Sequence, residues 1–313
     1  MKNTQKIFIH DRLFPQISSE YQFKLYIKNH PEFDPEYILE HCYVYRRGTR
    51  DWLESIWNKY YTYAEPNLLT NMRKPGWFHP FTWQIYLASV FLDNGYQLEP
   101  NNGSGPDLQL KIKNENIWIE AVITTAGSDE SAAGLPQGGV IYNDLDPRVA
   151  RITNALEKKY KIYIDKYLQK PCGENESFII AINGSETNSL QAGRAAEAAL
   201  YARGNDVVKR LSSGEFQGGF YEPRESITIK KGGGSVTIDT NYFCSDAHKE
   251  ISAVIYCEEH IINANNNGRT PEDNLYLLIN PYAKNKLNLN EFTVGKVTRM
   301  NAAKQIIREY EKS

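Results

Sequence analysis

The stretch from Gly105 to Val122, GPDLQLKIKNENIWIEAV, sets two acidic residues on two apolar segments with a short polar connection between them. Leu108, Leu110 and Ile112 alternate with Gln109, Lys111 and Lys113, the period of two of a strand with one buried face. Asn114-Glu115-Asn116 reads as a tight connection. The run Ile117-Trp118-Ile119-Glu120-Ala121-Val122-Ile123 is apolar but for Glu120, which predicts a strand buried on both faces. A hairpin joining the two strands can bring Asp107 and Glu120 together at one end.

A carboxylate in a buried strand is costly to desolvate unless a cation or hydrogen-bond donors meet it. Two carboxylates a few ångströms apart repel, and the usual resolutions are a shared proton or a hard divalent metal. The residues alone leave another arrangement open, in which Glu120 pairs with an Arg and Asp107, after Pro106, only begins a turn.

Pro106-Asp107, twelve intervening residues, and then Glu120-Ala121-Val122 resembles the signature of the PD-(D/E)XK nuclease superfamily, the restriction-endonuclease-like fold. The order of elements over roughly residues 79 to 183 is also similar to that family's core of helix, three strands, helix and strand. The resemblance implies an α/β protein with a mixed central sheet flanked by helices. It implies a divalent-metal-dependent nuclease acting on phosphodiester bonds of a nucleic acid, DNA by preference, with Mg²⁺ or Mn²⁺ held by Asp107, Glu120 and the backbone carbonyl of Ala121. Val122 stands where the family usually carries its catalytic Lys. Some members relocate that lysine to a neighbouring helix, and Lys159 is the candidate here. Gln84 takes the place on the first core helix where an acidic residue often reaches the metal, and Arg151 is a second auxiliary residue. A homodimer is compatible with the resemblance.

The 313 residues, 41% of them hydrophobic, suffice for one large domain or two modest ones. No run approaches the roughly 18 apolar residues of a membrane span. The opening MKNTQKIFIHDRLF lacks the apolar core of a secretory signal, so the expectation is a cytoplasmic protein with no membrane partner. Cys42, Cys172, Cys244 and Cys257 are far apart, which argues for buried free thiols rather than a zinc cage or disulfide framework. A formal charge of −2 gives no global attraction to a polyanion. Any nucleic-acid contact must therefore be local, and the stretch from Arg148 to Lys170 supplies it, with Arg148 and Arg151 as the candidate binding residues. Arg46, Arg47 and Arg50 form a second basic cluster among aromatic residues.

Residues 1 to 78 read as a helical N-terminal region preceding an α/β domain over 79–313, the whole as one elaborated domain. Asp34-Pro35-Glu36 caps a helix to about Tyr43, and Thr49 is positioned to cap another carrying Trp52, Leu53, Ile56, Trp57 and Tyr60. Pro80 lies at the start of a helix ending at Asn94-Gly95. The segment from Thr124 to Asn143 has no periodicity and leaves the strand of Glu120 as a long loop. It lacks the Gly-Lys-Ser/Thr of a phosphate loop, which excludes that class of NTPase.

Asp146-Pro147 begins a helix ending near Lys170. Its stripe of Val149, Ile152, Leu156 and Tyr163 puts Lys159 on the sheet-facing side, while Lys158 and Lys161 point away. Strands are expected at 178–183, 226–230, 235–239, 252–256 and 275–279, and helices at 195–202 and 298–311. His79, His248 and His260 show no spacing in which a triad or metal site is legible, and there is no Gly-x-Ser-x-Gly. Two functions remain in view: the metal-dependent nuclease, and a noncatalytic nucleic-acid- or protein-binding module that keeps the same fold.

Overall fold

The computed structural model describes residues 12–14, 20–42, 47–113, 115–125, 145–168, 170, 175–185, 193–210, 212–263, 270–301 and 305–309. Among the described residues five helices come first: α1 (Glu20–Asn29), α2 (Pro35–Cys42), α3 (Arg47–Tyr60), α4 (Leu68–Met72) and α5 (Phe78–Asp93). Three strands follow, β1 (Gln97–Leu98), β2 (Leu108–Ile112) and β3 (Glu115–Ile123), then α6 (Asp146–Ile162) running into a π-helical turn over Tyr163–Tyr167, then β4 (Ser177–Asn183) and α7 (Arg194–Tyr201). Two hairpins, β5 (Arg203–Arg210) with β6 (Phe216–Pro223) and β7 (Ser226–Lys231) with β8 (Gly234–Asp239), precede β9 (Ala253–Cys257), β10 (Leu275–Ile279), β11 (Lys296–Met300) and β12 (Ile306–Glu309).

Eight strands form one mixed sheet in the order β1-β2-β3-β4-β9-β10-β11-β12. β1, β2 and β3 are antiparallel neighbours, and β3, β4 and β9 run parallel. Strand alternation divides the apolar residues between two layers. Leu108, Leu110, Ile117, Ile119, Ile179, Ala181 and Ile255 pack with α3, α4 and α5, whereas Phe178, Ile180, Ile182, Val254 and Tyr256 pack with α6 and α7. α5 is buried almost all round, and Trp83 on it donates from Nε1 to the Ala181 carbonyl at 3.1 Å. Leu53, Ile56, Trp57 and Tyr60 of α3 belong to the same apolar core as α5, so the packing is continuous across residue 78.

Local signals account for some of the element ends. Asp34 caps α2 by accepting from Glu36 N at 2.9 Å and Tyr37 N at 3.3 Å. Gly95 takes φ +78° and ends α5. Gly232 and Gly233, at φ +56° and +79°, make the two-residue turn between β7 and β8, a geometry that favours residues without a Cβ.

Four expectations need correction. Residues 298–311 contain no helix among those described: β11 pairs in parallel with β10, and β12 returns antiparallel on it. β11 lies between β10 and β12 with Val297, Thr298 and Met300 buried and Arg299 exposed, and sheet pairing overrides the modest helical pattern. α3 starts at Arg47, so Thr49 is a buried residue of its first turn and not its cap. The β2–β3 turn is tighter than expected, because Glu115 already pairs with Ile112 and Lys113 takes φ +53°. β5 and β6 lie outside the expected strands. Of the cysteines, Cys244 and Cys257 are free thiols, Cys257 buried and Cys244 half-buried. The side chain of Arg46 and most of the segment from Thr124 to Asn143 lie outside the described residues. No helix among the described residues is long and apolar enough to cross a membrane.

Candidate active site

The β2–β3 register pairs Leu108 with Ile119, which sets Asp107 opposite Glu120 one step beyond the last paired residues. Directly opposed antiparallel residues share a face, with Cβ atoms about 5 Å apart. That face is the one covered by α6, since Glu120 has the parity of Trp118 and Val122, which pack into the α6 layer. Lys159, in the last turn of α6, reaches down to Glu120: its Nζ lies 2.7 Å from Oε1, with the lysine side chain 17% exposed and the glutamate 7%. The helical projection that places Lys159 toward the sheet and Lys158 away thus agrees with the geometry, and Lys158 is exposed.

Asp107 Oδ2 accepts the Ala121 N–H at 2.7 Å. In an extended strand a residue's N–H and C=O point to the same side, so the Ala121 carbonyl also faces the Asp107 edge. Glu120 Oε2 is buried and has no hydrogen-bond partner among the described residues. Burial pushes Glu120 up to about 7, with the neighbouring Asp107 charge adding to the rise and Lys159 opposing it. Asp107 is likewise raised by burial, against the pull of Lys159 and the Ala121 N–H. The cluster therefore holds more negative charge than one lysine neutralises. It is an arrangement that accepts a proton or a second cation.

Gln84 on α5 approaches from the other layer. Its Nε2 donates to the Tyr60 hydroxyl at 2.8 Å and to the Asp107 carbonyl at 3.3 Å. Asn101 Nδ2 donates to the same carbonyl at 2.9 Å. Glu65, in the turn between α3 and α4, is raised first by burial and then by the charge of Asp107, which puts a third carboxylate near the pair. The Asn101 N–H bond to the Tyr63 carbonyl at 2.8 Å ties that turn to the loop before β2. Sequence reasoning misses Tyr60, Glu65 and Asn101, because nothing in their spacing relates them to the hairpin.

The remaining candidates lie elsewhere. Arg148 is only 7% exposed and sits at the start of α6, where its charge acts on Glu258 and Tyr256 inside the protein. Arg151 is half-buried one turn further on. Lys158, Lys161, Lys166 and Lys170 are the exposed cations of this segment. Lys170 donates to the Ser104 carbonyl at 2.8 Å and lies 5.6 Å from the centre of the Tyr167 ring. A cavity of about 170 Å³ lies over the loop before β2, lined by Asn101, Ser104, Gly105, Trp118 and Lys170 among others, and neither Asp107, Glu120 nor Lys159 lines it. A larger one, about 330 Å³, adjoins the opposite end of α6 near Asp146, Arg194 and Arg224.

The chain matches no family model, no curated protein and no solved structure.

Proposed function

We propose that the Asp107, Glu120 and Lys159 cluster is the active site of a divalent-metal-dependent nuclease with a restriction-endonuclease-like core, acting on DNA. The observation that carries this reading is the meeting of two opposed, desolvated carboxylates with one lysine from the following helix on a single sheet face. The element order α5, β1, β2, β3, α6, β4 also follows the order that the sequence resemblance implies. The donor set fits a hard cation: two carboxylates and the Ala121 carbonyl, with Glu120 Oε2 buried and unpartnered among the described residues. Asp107, Glu120 and the Ala121 carbonyl would hold it. A divalent ion of the Mg²⁺ class, when bound, supplies charge that offsets a scissile phosphate and acidifies water beside it.

The protein groups then have separable tasks. Lys159 holds Glu120 in place and presents a positive charge to negative charge developing on the phosphate. Gln84 and Asn101 both donate to the Asp107 carbonyl, which fixes the start of β2 and so the direction of its carboxylate. Burial raises Glu65 as it does Glu120, and the charge of Asp107 adds to both. The exposed side chains of Lys161 and Lys166 offer phosphate contacts that carry no sequence information.

The test is incubation of the pure protein with plasmid, single-stranded DNA and RNA, with Mg²⁺, with Mn²⁺ and with chelator. Cleavage confined to the metal-containing reactions is the expected result. Val122 favours one other reading, a binding module that keeps the architecture without turnover. Binding of the same nucleic acids with no cleavage under any metal would support that reading instead.

A further inference from the structure

We infer that Glu36, His79 and His260 form a second metal site, selective for a divalent transition metal of the zinc class and separate from the carboxylate pair. One ligand-capable atom from each of the three side chains lies within 4.8 Å of the others. Glu36 Oε2 pairs directly with His79 Nε2, and the rings of His79 and His260 meet edge to face with centroids 4.6 Å apart. The residues are far apart in sequence and come from three different segments: the first turn of α2, the first turn of α5, and the turn after β9.

Each segment is held before any metal arrives. Asp34 accepts from Glu36 N at 2.9 Å and from Gly76 N at 2.7 Å, and its own N–H donates to the Arg73 carbonyl at 2.8 Å. Those bonds fasten the start of α2 to the turn leading into α5, which brings Glu36 beside His79. On the other side, Asn183 Nδ2 donates to the Glu259 carbonyl at 3.1 Å, and Ile261 and Ile262 are buried in the core, which fixes the backbone around His260. His79 and His260 are half-buried and Glu36 is exposed, so the two rings form a fixed pair and the glutamate side chain has room to adjust. A tetrahedral zinc with bonds of about 2.0–2.2 Å sets its ligand atoms about 3.4 Å apart, so the directly paired Glu36 and His79 atoms must part to admit the ion, and the exposed Glu36 side chain has room to do so.

Two imidazoles and one carboxylate are borderline donors that suit Zn²⁺, Co²⁺ or Ni²⁺, whereas the carboxylate pair offers only the hard oxygens that suit Mg²⁺. The two sites thus differ in the class of ion they select. Because the ligands span α2, α5 and the turn after β9, a bound ion would tie the N-terminal helices to the end of the sheet, and its binding energy would add to folding stability.

The experiment uses the full chain, freed of metal with chelator and titrated with Zn²⁺ and separately with Co²⁺ in a large excess of Mg²⁺. Expected are one tight equivalent per chain, a visible Co²⁺ spectrum, and a rise in unfolding temperature of roughly 5 °C when free Zn²⁺ is a hundredfold above its Kd. His260→Asn and Glu36→Gln should each lose the spectrum and the temperature shift while keeping the far-ultraviolet circular dichroism of the wild type. Asp107→Ala should keep both. A wild type with no Zn²⁺ equivalent that resists Mg²⁺ would overturn the inference. So would a His260→Asn variant that binds as wild type, or loss of the Co²⁺ spectrum in Asp107→Ala, which would move the ion to the carboxylate pair.

Discussion

Replacing Lys159 by Met removes the cation that opposes the raised pKa of Glu120 and leaves a similar volume at the foot of α6. The effect should depend on pH in a definite direction. Glu120 titrates at about 7 when folded and within the ordinary carboxylate range when unfolded. A carboxyl raised on folding favours the folded state below its unfolded pKa, and that contribution is lost as pH rises through the folded value. At about pH 8 the wild-type glutamate is mostly charged and paired at 2.7 Å. In Lys159→Met it must then remain buried without a partner or take a proton against the solution pH. Because Glu120 is already raised to about 7, keeping it protonated at about pH 8 adds about one pH unit of work, so the variant should cost about 1.4 kcal/mol more there than at low pH. At about pH 5.5 Glu120 is mostly protonated with or without the lysine, and the cost should fall to that of a lost hydrogen bond, about 1 kcal/mol. Urea unfolding followed by tryptophan fluorescence at the two pH values measures the difference. Lys158→Met, on the exposed side, is the control and should stay within about 0.5 kcal/mol of wild type at both. The double variant Lys159→Met with Glu120→Gln should recover most of the loss at high pH. An equal cost at both pH values, or no recovery in the double variant, would refute the reasoning.

Three further outcomes are expected. In cleavage assays Lys159→Ala should lower the rate by on the order of 10²-fold or more with little change in substrate affinity, and Lys158→Ala should change little; equal rates would remove Lys159 from the mechanism. DNA affinity measured across salt concentrations should fall steeply, and neutralising Lys161 and Lys166 together should flatten the log–log slope by roughly 0.9 for each phosphate no longer neutralised, while an affinity indifferent to salt would argue against a polyanion. Glu258, raised to about 7 by burial despite the Gly193 N–H bond and the nearby Arg148, disfavours the folded state above that pH. Glu258→Gln should be near neutral in stability at about pH 5 and stabilising by up to about 3 kcal/mol at about pH 8, and a variant less stable than wild type at pH 8 would contradict the assignment.

The hairpin is legible in the sequence because strand alternation and an apolar run broken by a single glutamate leave few alternatives, and register then follows from the tight turn. Lys159 is legible because a helical projection needs only the sequence of one helix. Tyr60, Glu65 and Asn101 are not, since they reach Asp107 through the packing of α3 against α5 and through one loop-to-loop backbone bond, neither of which leaves a local pattern. His79 and His260 illustrate the same limit: their rings meet only because β9 ends beside the start of α5. The C-terminal strands resemble a helix in sequence for a related reason. β11 and β12 are specified by pairing with β10 and with each other, and a short segment of mixed composition does not encode that pairing alone.

The most direct test of the proposed metal site is the Mg²⁺-dependent cleavage rate of Asp107→Asn beside wild type. The asparagine carbonyl oxygen can still accept the Ala121 N–H, so the hairpin keeps the bond that fixes its end. Only the charge offered to a metal is removed. The expected result is metal-dependent cleavage by wild type and loss of at least about 10²-fold in Asp107→Asn, with unfolding stability unchanged or raised by relief of carboxylate repulsion. Wild-type cleavage that survives intact in Asp107→Asn, or that proceeds equally in chelator, would contradict it.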